Sequence, residues 1–405
     1  METLEELGLI YNWDKKRVIN NKKILDTSLR DGLQDPSIRQ PSLEEKIKLI
    51  DLMDSVGVDA ADIGFPVNSK SHKNEVIETA KHIKEKNLGI EVCVLARTQK
   101  KDIEAAIEVS QKAQIPVEVI TIVGSSKVRH FVENWNLDQV KKWIKECITL
   151  ALKNNLEVNF LTEDGTRTEP GMLTDLYKYA IDLGASKVTI ADTVGFATPY
   201  ATKKIIELFK KDILKKNKDI TLDWHGHNDR DFGTINALEA FESGADRAHV
   251  CILGIGERAG NTAMEPLLVN MKMMGMANGK NLRELPQLSM YASNIFNINI
   301  PQNMPIVGEY VHTTSVGIHA SAILKARNMY REDLANTVYS GVNPQYVGLK
   351  TEIFVGPLSG RANVIYVLRK HGIEPTEEKI EKVLKHASSK NVVLKDDEVL
   401  LITKD

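Results

Sequence analysis

Two histidines separated by a single glycine, His225-Gly226-His227, are the sharpest chemical signal in this sequence. They close the run Ile220-Thr221-Leu222-Asp223-Trp224, which reads as a strand. On a strand, residues two apart face the same side, so both imidazoles aim at one point. Two imidazoles and one carboxylate, with positions left open, make a metal centre that keeps room for a substrate. The carboxylate must come from another segment, and Asp31 is the candidate. Asn261 is a candidate fourth, oxygen-donating partner. Imidazole nitrogens with hard oxygens suit Mn²⁺, Mg²⁺ or Zn²⁺ without deciding among them. A histidine pair alone more often belongs to a core or a surface; the strand-end position is what raises this one.

Other polar residues occupy equivalent places. Each strand-like run is followed at once by charged or hydrogen-bonding side chains. After the first come Thr27 to Gly32, with Arg30 and Asp31. The second ends at Asp62 and the third at Arg97. Gly124, Ser125, Ser126 and Arg129 follow the fourth. The fifth ends in Thr162, Glu163 and Asp164, the sixth in Asp192 and Thr193. Glu257, Arg258 and Asn261 follow the eighth. Solvated loops alone would not crowd such residues into the first positions after every strand.

The elements that carry them alternate. Short Val/Ile-rich runs, with little polar alternation, are each followed by a stretch of helical period. One such stretch opens with a capping box, Ser42 and Glu45. Eight strand–helix pairs in about 250 residues predict a closed (β/α)₈ TIM barrel rather than an open sheet. In such a barrel the C-terminal strand ends build the active site. Closure makes the first, seventh and eighth strands neighbours, which brings Asp31 to the histidines. The texture changes after Lys280. The expected organisation is an N-terminal extension (1–21), the barrel (22–280), a linker and helical subdomain (281–335) and a second small subdomain (336–405). The tail VVLKDDEVLLITKD reads as a charged, strand-like run.

Composition sets limits. The chain has 405 residues, a formal net charge of −2, 42% hydrophobic and 27% charged residues. That is ordinary for a soluble globular protein and carries no electrostatic footprint for nucleic acid. No run of 18 apolar residues exists, so no membrane span is expected. The N-terminus lacks a secretory pattern, and Cys93, Cys147 and Cys251 are too few and scattered for a disulfide framework. Buried, reduced thiols in a cytoplasmic protein are the expectation. Gly254-Ile255-Gly256 follows a strand, but the next glycine and the closing acidic residue of a dinucleotide site are missing. A tight loop beside the metal is the better reading. His249, within the eighth strand, reads as a buried structural histidine.

Taken together, DTSLRDGLQ (26–34), HGHND (225–229) and GIGERAGN (254–261) resemble the signatures of the DRE-TIM metallolyase superfamily. EDGTR (163–167), ADTVG (191–195) and GIH (317–319) are similar to its Claisen-condensing branch, the 2-isopropylmalate, homocitrate and citramalate synthases. The resemblance implies a divalent metal on Asp31, His225 and His227, a 2-oxo acid as electrophile and acetyl-CoA as the source of the nucleophile. It implies that Arg30 stabilises the ketone oxygen as it becomes an alkoxide, and that Thr193 binds the oxo-acid carboxylate. Glu163, His319 and Tyr330 match the residues that family members place at the acetyl group. The last two lie on the accessory segment, which in the family reaches a partner's barrel, so a homodimer is implied. Thr314 stands where the family often has a histidine, and Gly356-Pro357-Leu358-Ser359-Gly360-Arg361 replaces its usual GKHSGR. The chain also ends too soon for the C-terminal regulatory domain of feedback-controlled members.

Specificity is expected at the ends of strands two to four, where Phe65, Arg97 and Arg129 are the substrate-binding candidates. Asp62-Ile63-Gly64-Phe65-Pro66 resembles a run of isopropylmalate synthases, and Phe65 suits an apolar pocket for 2-oxoisovalerate. Arg129 lies where homocitrate synthases place an arginine for a second carboxylate, or else contacts solvent or CoA phosphate. The first reading is therefore 2-isopropylmalate formation in leucine biosynthesis, with 2-oxoglutarate or pyruvate as the alternative oxo acids. Hydroxymethylglutaryl-CoA lyases share the R-D-G-L-Q pattern. They want a cysteine-bearing glycine loop, and GIGERAGN has no cysteine.

Overall fold

A computed structural model describes residues 4–13, 21–215 and 219–404; parts of the expected N-terminal extension, 1–3 and 14–20, lie outside the described residues. Eight parallel strands close on themselves in sequence order. They are β1 (Lys23–Asp26), β2 (Ala60–Asp62), β3 (Glu91–Arg97), β4 (Glu118–Gly124), β5 (Glu157–Glu163), β6 (Lys187–Asp192), β7 (Thr221–Gly226) and β8 (Arg247–Val250). Closure comes from β1, which pairs β2 on one side and β8 on the other, Asp26 opposite Ala61 and Val250. The expected TIM barrel is what the chain forms. Between and after the strands lie α1 (Leu43–Val56), α2 (Lys70–Glu85), α3 (Lys100–Ala113), α4 (Lys127–Glu133), α5 (Leu137–Lys153), α6 (Pro170–Asp182), α7 (Pro199–Leu208), α8 (Gly233–Ser243) and α9 (Met264–Met273). The capping box forms at α1: Ser42 Oγ accepts the Glu45 N–H and Glu45 accepts the Ser42 N–H.

The barrel interior is layered. Leu25, Ala60, Cys93, Leu95, Ile120, Leu161 and Ala191 form an apolar cluster, against which Phe65 and Ile122 pack. Toward the N-terminal end of the strands the interior is charged. Arg247 on β8 donates to Glu118 on β4 (2.5 Å) and Asp223 on β7 (2.6 Å). Contact between β4 and β8, on opposite sides of the ring, is possible only through the interior. Lys187 and Asn159 complete the set by donating to Glu118 at 2.6 and 2.9 Å. All of these groups are buried, and mutual pairing is what makes burial of such charges tolerable.

The chain divides into two compact units, 18–299 and 1–17 with 300–405. The sequence texture suggests a boundary near Lys280, but α10 (Leu285–Phe296) belongs to the barrel unit. Its Phe296 carbonyl accepts the Arg39 N–H, and its Ser289 hydroxyl bonds Glu265 of α9. The second unit holds a two-stranded parallel pair, β9 (Thr313–Thr314) and β10 (Glu352–Ile353), with α11 (Gly317–Asn328), α12 (Glu332–Thr337), α13 (Arg361–Lys370), α14 (Glu377–Ser388) and α15 (Asp396–Ile402). The strand-like tail is thus a correction: among its described residues only Leu394 bridges, to Val355, and Asp396–Ile402 is helix. The physical reason is a first turn of Asp396, Asp397 and Glu398, which suits a helix N-terminus, with Val399 and Ile402 at helical spacing on an apolar cluster. Among the described residues no helix is long and apolar enough to cross a membrane.

Replacing Arg247 by leucine leaves Glu118 and Asp223 buried without their main counter-charge. The expected cost is about 3–5 kcal/mol of folding stability, read by urea unfolding of Arg247→Leu beside the parent.

Candidate metal centre and active site

The turn after β1 aims the first two site residues. The Thr27 carbonyl accepts the N–H groups of Arg30, Asp31 and Gly32 at 3.1, 2.8 and 3.1 Å. So tight a turn projects both side chains over the barrel mouth. Arg30 is buried between two carboxylates, with Nε donating to Asp62 and Nη1 to Asp31, each at 2.7 Å. Asp62, which the sequence offers only as a polar strand end, is thus the second anchor of Arg30. Its place at the end of β2 was the signal.

β7 delivers the imidazoles. Asp31 Oδ2 lies 3.5 Å from His225 Nε2 and 4.0 Å from His227 Nε2. The two Nε2 atoms are 3.4 Å apart. Ligand atoms of all three residues lie within 4.8 Å of one another, and among the described residues this is the one such group of three. Asn261, bridged to His227 in an antiparallel pair, donates Nδ2 to Asp31 Oδ1 at 3.0 Å. Its Oδ1 is buried with no hydrogen-bond partner.

The electrostatics match a cation. Burial pushes the His225 and His227 pKa values down, and the Arg30 charge works in the same direction. Burial opposes ionisation of Asp31, but Arg30 and the two histidines outweigh it and hold its carboxyl well below the usual carboxylate range. Neutral imidazoles beside an ionised carboxylate are the protonation states that metal ligation requires. Converging lone pairs with an orphaned amide oxygen beside them therefore fit a divalent ion on Asp31, His225 and His227, with Asn261 adjacent.

Two glycines make the loop after β8 possible. A Cβ on Gly256 (φ +142°) would stand 2.2 Å from Asn261 Nδ2, and one on Gly260 (φ +84°) 1.9 Å from the Gly254 carbonyl. His249 is buried beneath the site: Nε2 lies 3.3 Å from Asp223, and its ring meets His225 edge-on at 5.3 Å.

The remaining candidates of the barrel unit follow the ends of its strands. Thr193 Oγ accepts the Asp164 N–H at 2.8 Å, leaving its own proton to donate. Burial raises the Glu163 pKa, with Arg129 opposing at 3.3 Å. Arg129 also donates to Glu133 at 2.6 Å and stacks over Trp135. Arg97 is locked onto Asp102 by two hydrogen bonds of 2.8 and 3.2 Å and covers the ring of Phe65. A cavity of about 520 Å³ lies between Arg97, Ile122, Arg129, Trp135 and Glu163. His319 and Tyr330 are not part of the barrel unit. In their own unit, His319 stacks on Tyr339 with ring centroids 3.8 Å apart, and Tyr330 is 96% exposed.

A family profile described as HMGL-like matches residues 21–291. The chain is 32% identical to the 2-isopropylmalate synthase of Pyrococcus furiosus, over 89% of this chain and 70% of the relative. It is 32% identical to the homocitrate synthase AksA of Methanopyrus kandleri, over 89% of this chain and 86% of the relative. A putative (R)-citramalate synthase of the same organism is 31% identical over 90% and 67%. Among solved structures, the HMG-CoA lyase of Bacillus subtilis superposes with a TM-score of 0.59 at 19% identity, over 70% of this chain and 96% of that one. That likeness is one of fold.

Removal of one imidazole should abolish the centre. Mn²⁺ titration of chelator-stripped His227→Ala is expected to show no stoichiometric binding, and the parent to bind one ion per chain. Because burial pulls both imidazole pKa values below the ordinary value of about 6.5, parent affinity should hold steady as pH falls to that value and weaken only below it.

Proposed function

The chain belongs to the HMGL-like family, and we propose that it condenses acetyl-CoA with a 2-oxo acid, 2-oxoisovalerate first among them, to form 2-isopropylmalate. The observation that carries this reading is the convergence of Asp31, His225 and His227 beside a buried Arg30 at the mouth of the barrel. Homologues over most of the chain are Claisen-condensing synthases at about 32% identity, which supports condensation over lyase-type cleavage.

A divalent ion, when bound by Asp31, His225 and His227, supplies Lewis-acid polarisation of the ketone. The chain's own residues do the rest. Arg30, pinned at two corners by Asp31 and Asp62, offers fixed N–H donors to the ketone oxygen as it gains charge. Thr193 donates its hydroxyl proton to the oxo-acid carboxylate. The acetyl methyl loses a proton to a base, Glu163 or His319, and its carbon bonds to the ketone carbon. Burial raises the Glu163 pKa against the pull of Arg129, the direction that makes its carboxylate a stronger base. The alkoxide takes up a proton, and water then cleaves the thioester to release CoA. Tyr330 and His319 would act in a partner's barrel, which makes the working form a homodimer.

The preference for an apolar oxo acid rests on the mouth. Arg97 is neutralised by Asp102, and Arg129 by Glu133 and Glu163. Phe65 stands on the interior apolar cluster. A second substrate carboxylate would have to displace existing ion pairs. Homocitrate formation from 2-oxoglutarate is the second reading, favoured by Arg129 lining the cavity beside Glu163.

Thiol release from acetyl-CoA, assayed with 2-oxoisovalerate, 2-oxoglutarate and pyruvate and with Mg²⁺, Mn²⁺ or Zn²⁺, tests the proposal. 2-Oxoisovalerate should be the best substrate. Release with none removes the synthase reading, and release with 2-oxoglutarate alone replaces the first choice by the second. Loss of one oxyanion donor costs roughly 100- to 1000-fold in turnover, so Arg30→Ala should lower kcat by that much while KM for the oxo acid moves less.

A further inference from the structure

Asp31 is held by Asn261, and Asn261 by a turn in an unfavourable conformation. The turn Ile252–Gly254 follows β8, and within it Leu253 adopts φ +57°, a left-handed geometry that a leucine rarely takes. Such a conformation persists only when its surroundings over-determine it. Two fully buried carboxylates do so here. Glu265, in the first turn of α9, accepts the Leu253 N–H through both oxygens at 3.0 and 3.1 Å. Ser289 of α10 donates its hydroxyl to the same Glu265 at 2.6 Å. From the other side, Asp26 accepts the N–H and hydroxyl of Ser28 at 2.9 and 2.8 Å, and Ser28 Oγ accepts the Ile252 N–H at 2.8 Å. The turn so fixed presents the Gly254 carbonyl to the Asn261 N–H at 3.0 Å, and Asn261 Nδ2 then bonds both the Ile255 carbonyl and Asp31 at 3.0 Å.

We infer that Glu265 is a positioning residue for the metal centre: with Ser289 it locks the strained Leu253 turn, which sets Asn261 and, through it, the carboxylate of Asp31. This rests on the metal reading given above. Glu265 reaches no ligand atom of the centre and no reacting group. Ser289 comes from a helix beyond the eight strand–helix pairs, so that helix reaches the support of the centre through Glu265. A purely architectural Glu265 would anchor α10 and lower the melting temperature, leaving the metal affinity of folded protein unchanged.

The experiment titrates Mn²⁺ into chelator-stripped full-length protein, following free Mn²⁺ by electron paramagnetic resonance at a temperature where melting curves show each variant folded. Glu265→Gln keeps the shape but replaces one acceptor oxygen by an amide N–H, which either opposes the Leu253 N–H or forces the Ser289 hydroxyl to turn and accept. Its Kd is expected to rise about 10- to 100-fold, the range for groups that orient metal ligands. Ser289→Ala removes one bond only and should move Kd the same way by a smaller factor. Wild-type Kd in folded Glu265→Gln overturns the inference, whatever happens to the melting temperature. If Glu265→Gln does not fold, Ser289→Ala decides, and an unchanged Kd overturns it. His227→Ala separates the two levels. Wild-type Mn²⁺ binding there sinks the metal centre itself, whereas loss there together with wild-type binding in Glu265→Gln removes only the positioning role.

Discussion

One buried negative charge organises this site. Asp31 is almost out of contact with water, where a lone carboxylate would take up a proton. It stays ionised because Arg30 donates to one oxygen, Asn261 to the other, and two imidazoles stand close by. Arg30 is in turn divided between Asp31 and Asp62. A planar guanidinium held at two corners cannot rotate, so its remaining donors keep one direction. The same pairings that make the charges tolerable also aim them.

The barrel beneath is built for this. β7 presents Asp223 and His225 on one face at alternate positions, with His227 next in the series. Asp223 belongs to the charged layer with Arg247 and Glu118, and the two histidines belong to the mouth. β8 repeats the arrangement with Arg247 and His249. An apolar cluster from β1 to β6 fills the interior beside these polar columns. One closed sheet thus keeps both polar layers within reach of backbone and side-chain partners.

Shape and charge in the mouth bear on the substrate. The two arginines near the ends of β3 and β4 are already paired with acids, and an aromatic ring rests on the apolar interior. Sequence alone could only count these arginines as positive. Whether a cation is available depends on which carboxylate lies next to it: Glu133 is one turn from Arg129 on the same helix, a local pairing, whereas Glu163 on β5 and Asp102 on α3 are brought to Arg129 and Arg97 by the packing of the barrel.

Much was determined by local pattern. The alternation of apolar runs with helical periods specified eight strand–helix units, because a strand buried on both faces and a helix on one leave different spacings of apolar residues. The capping box at Ser42 and the shared face of His225 and His227 are likewise local, set by periods of 3.6 and 2. The pairing of Asp31 with those histidines was inferable once closure was assumed, since β1 then adjoins β8. Other features arise only in three dimensions. The tail at Asp396–Ile402 became helix because an apolar stripe there found a cluster to cover it. The Glu265–Leu253–Ser289 lock joins residues whose contact no repeat or spacing announces. A left-handed leucine violates local preference, and tertiary hydrogen bonds across β8, α9 and α10 are what override it.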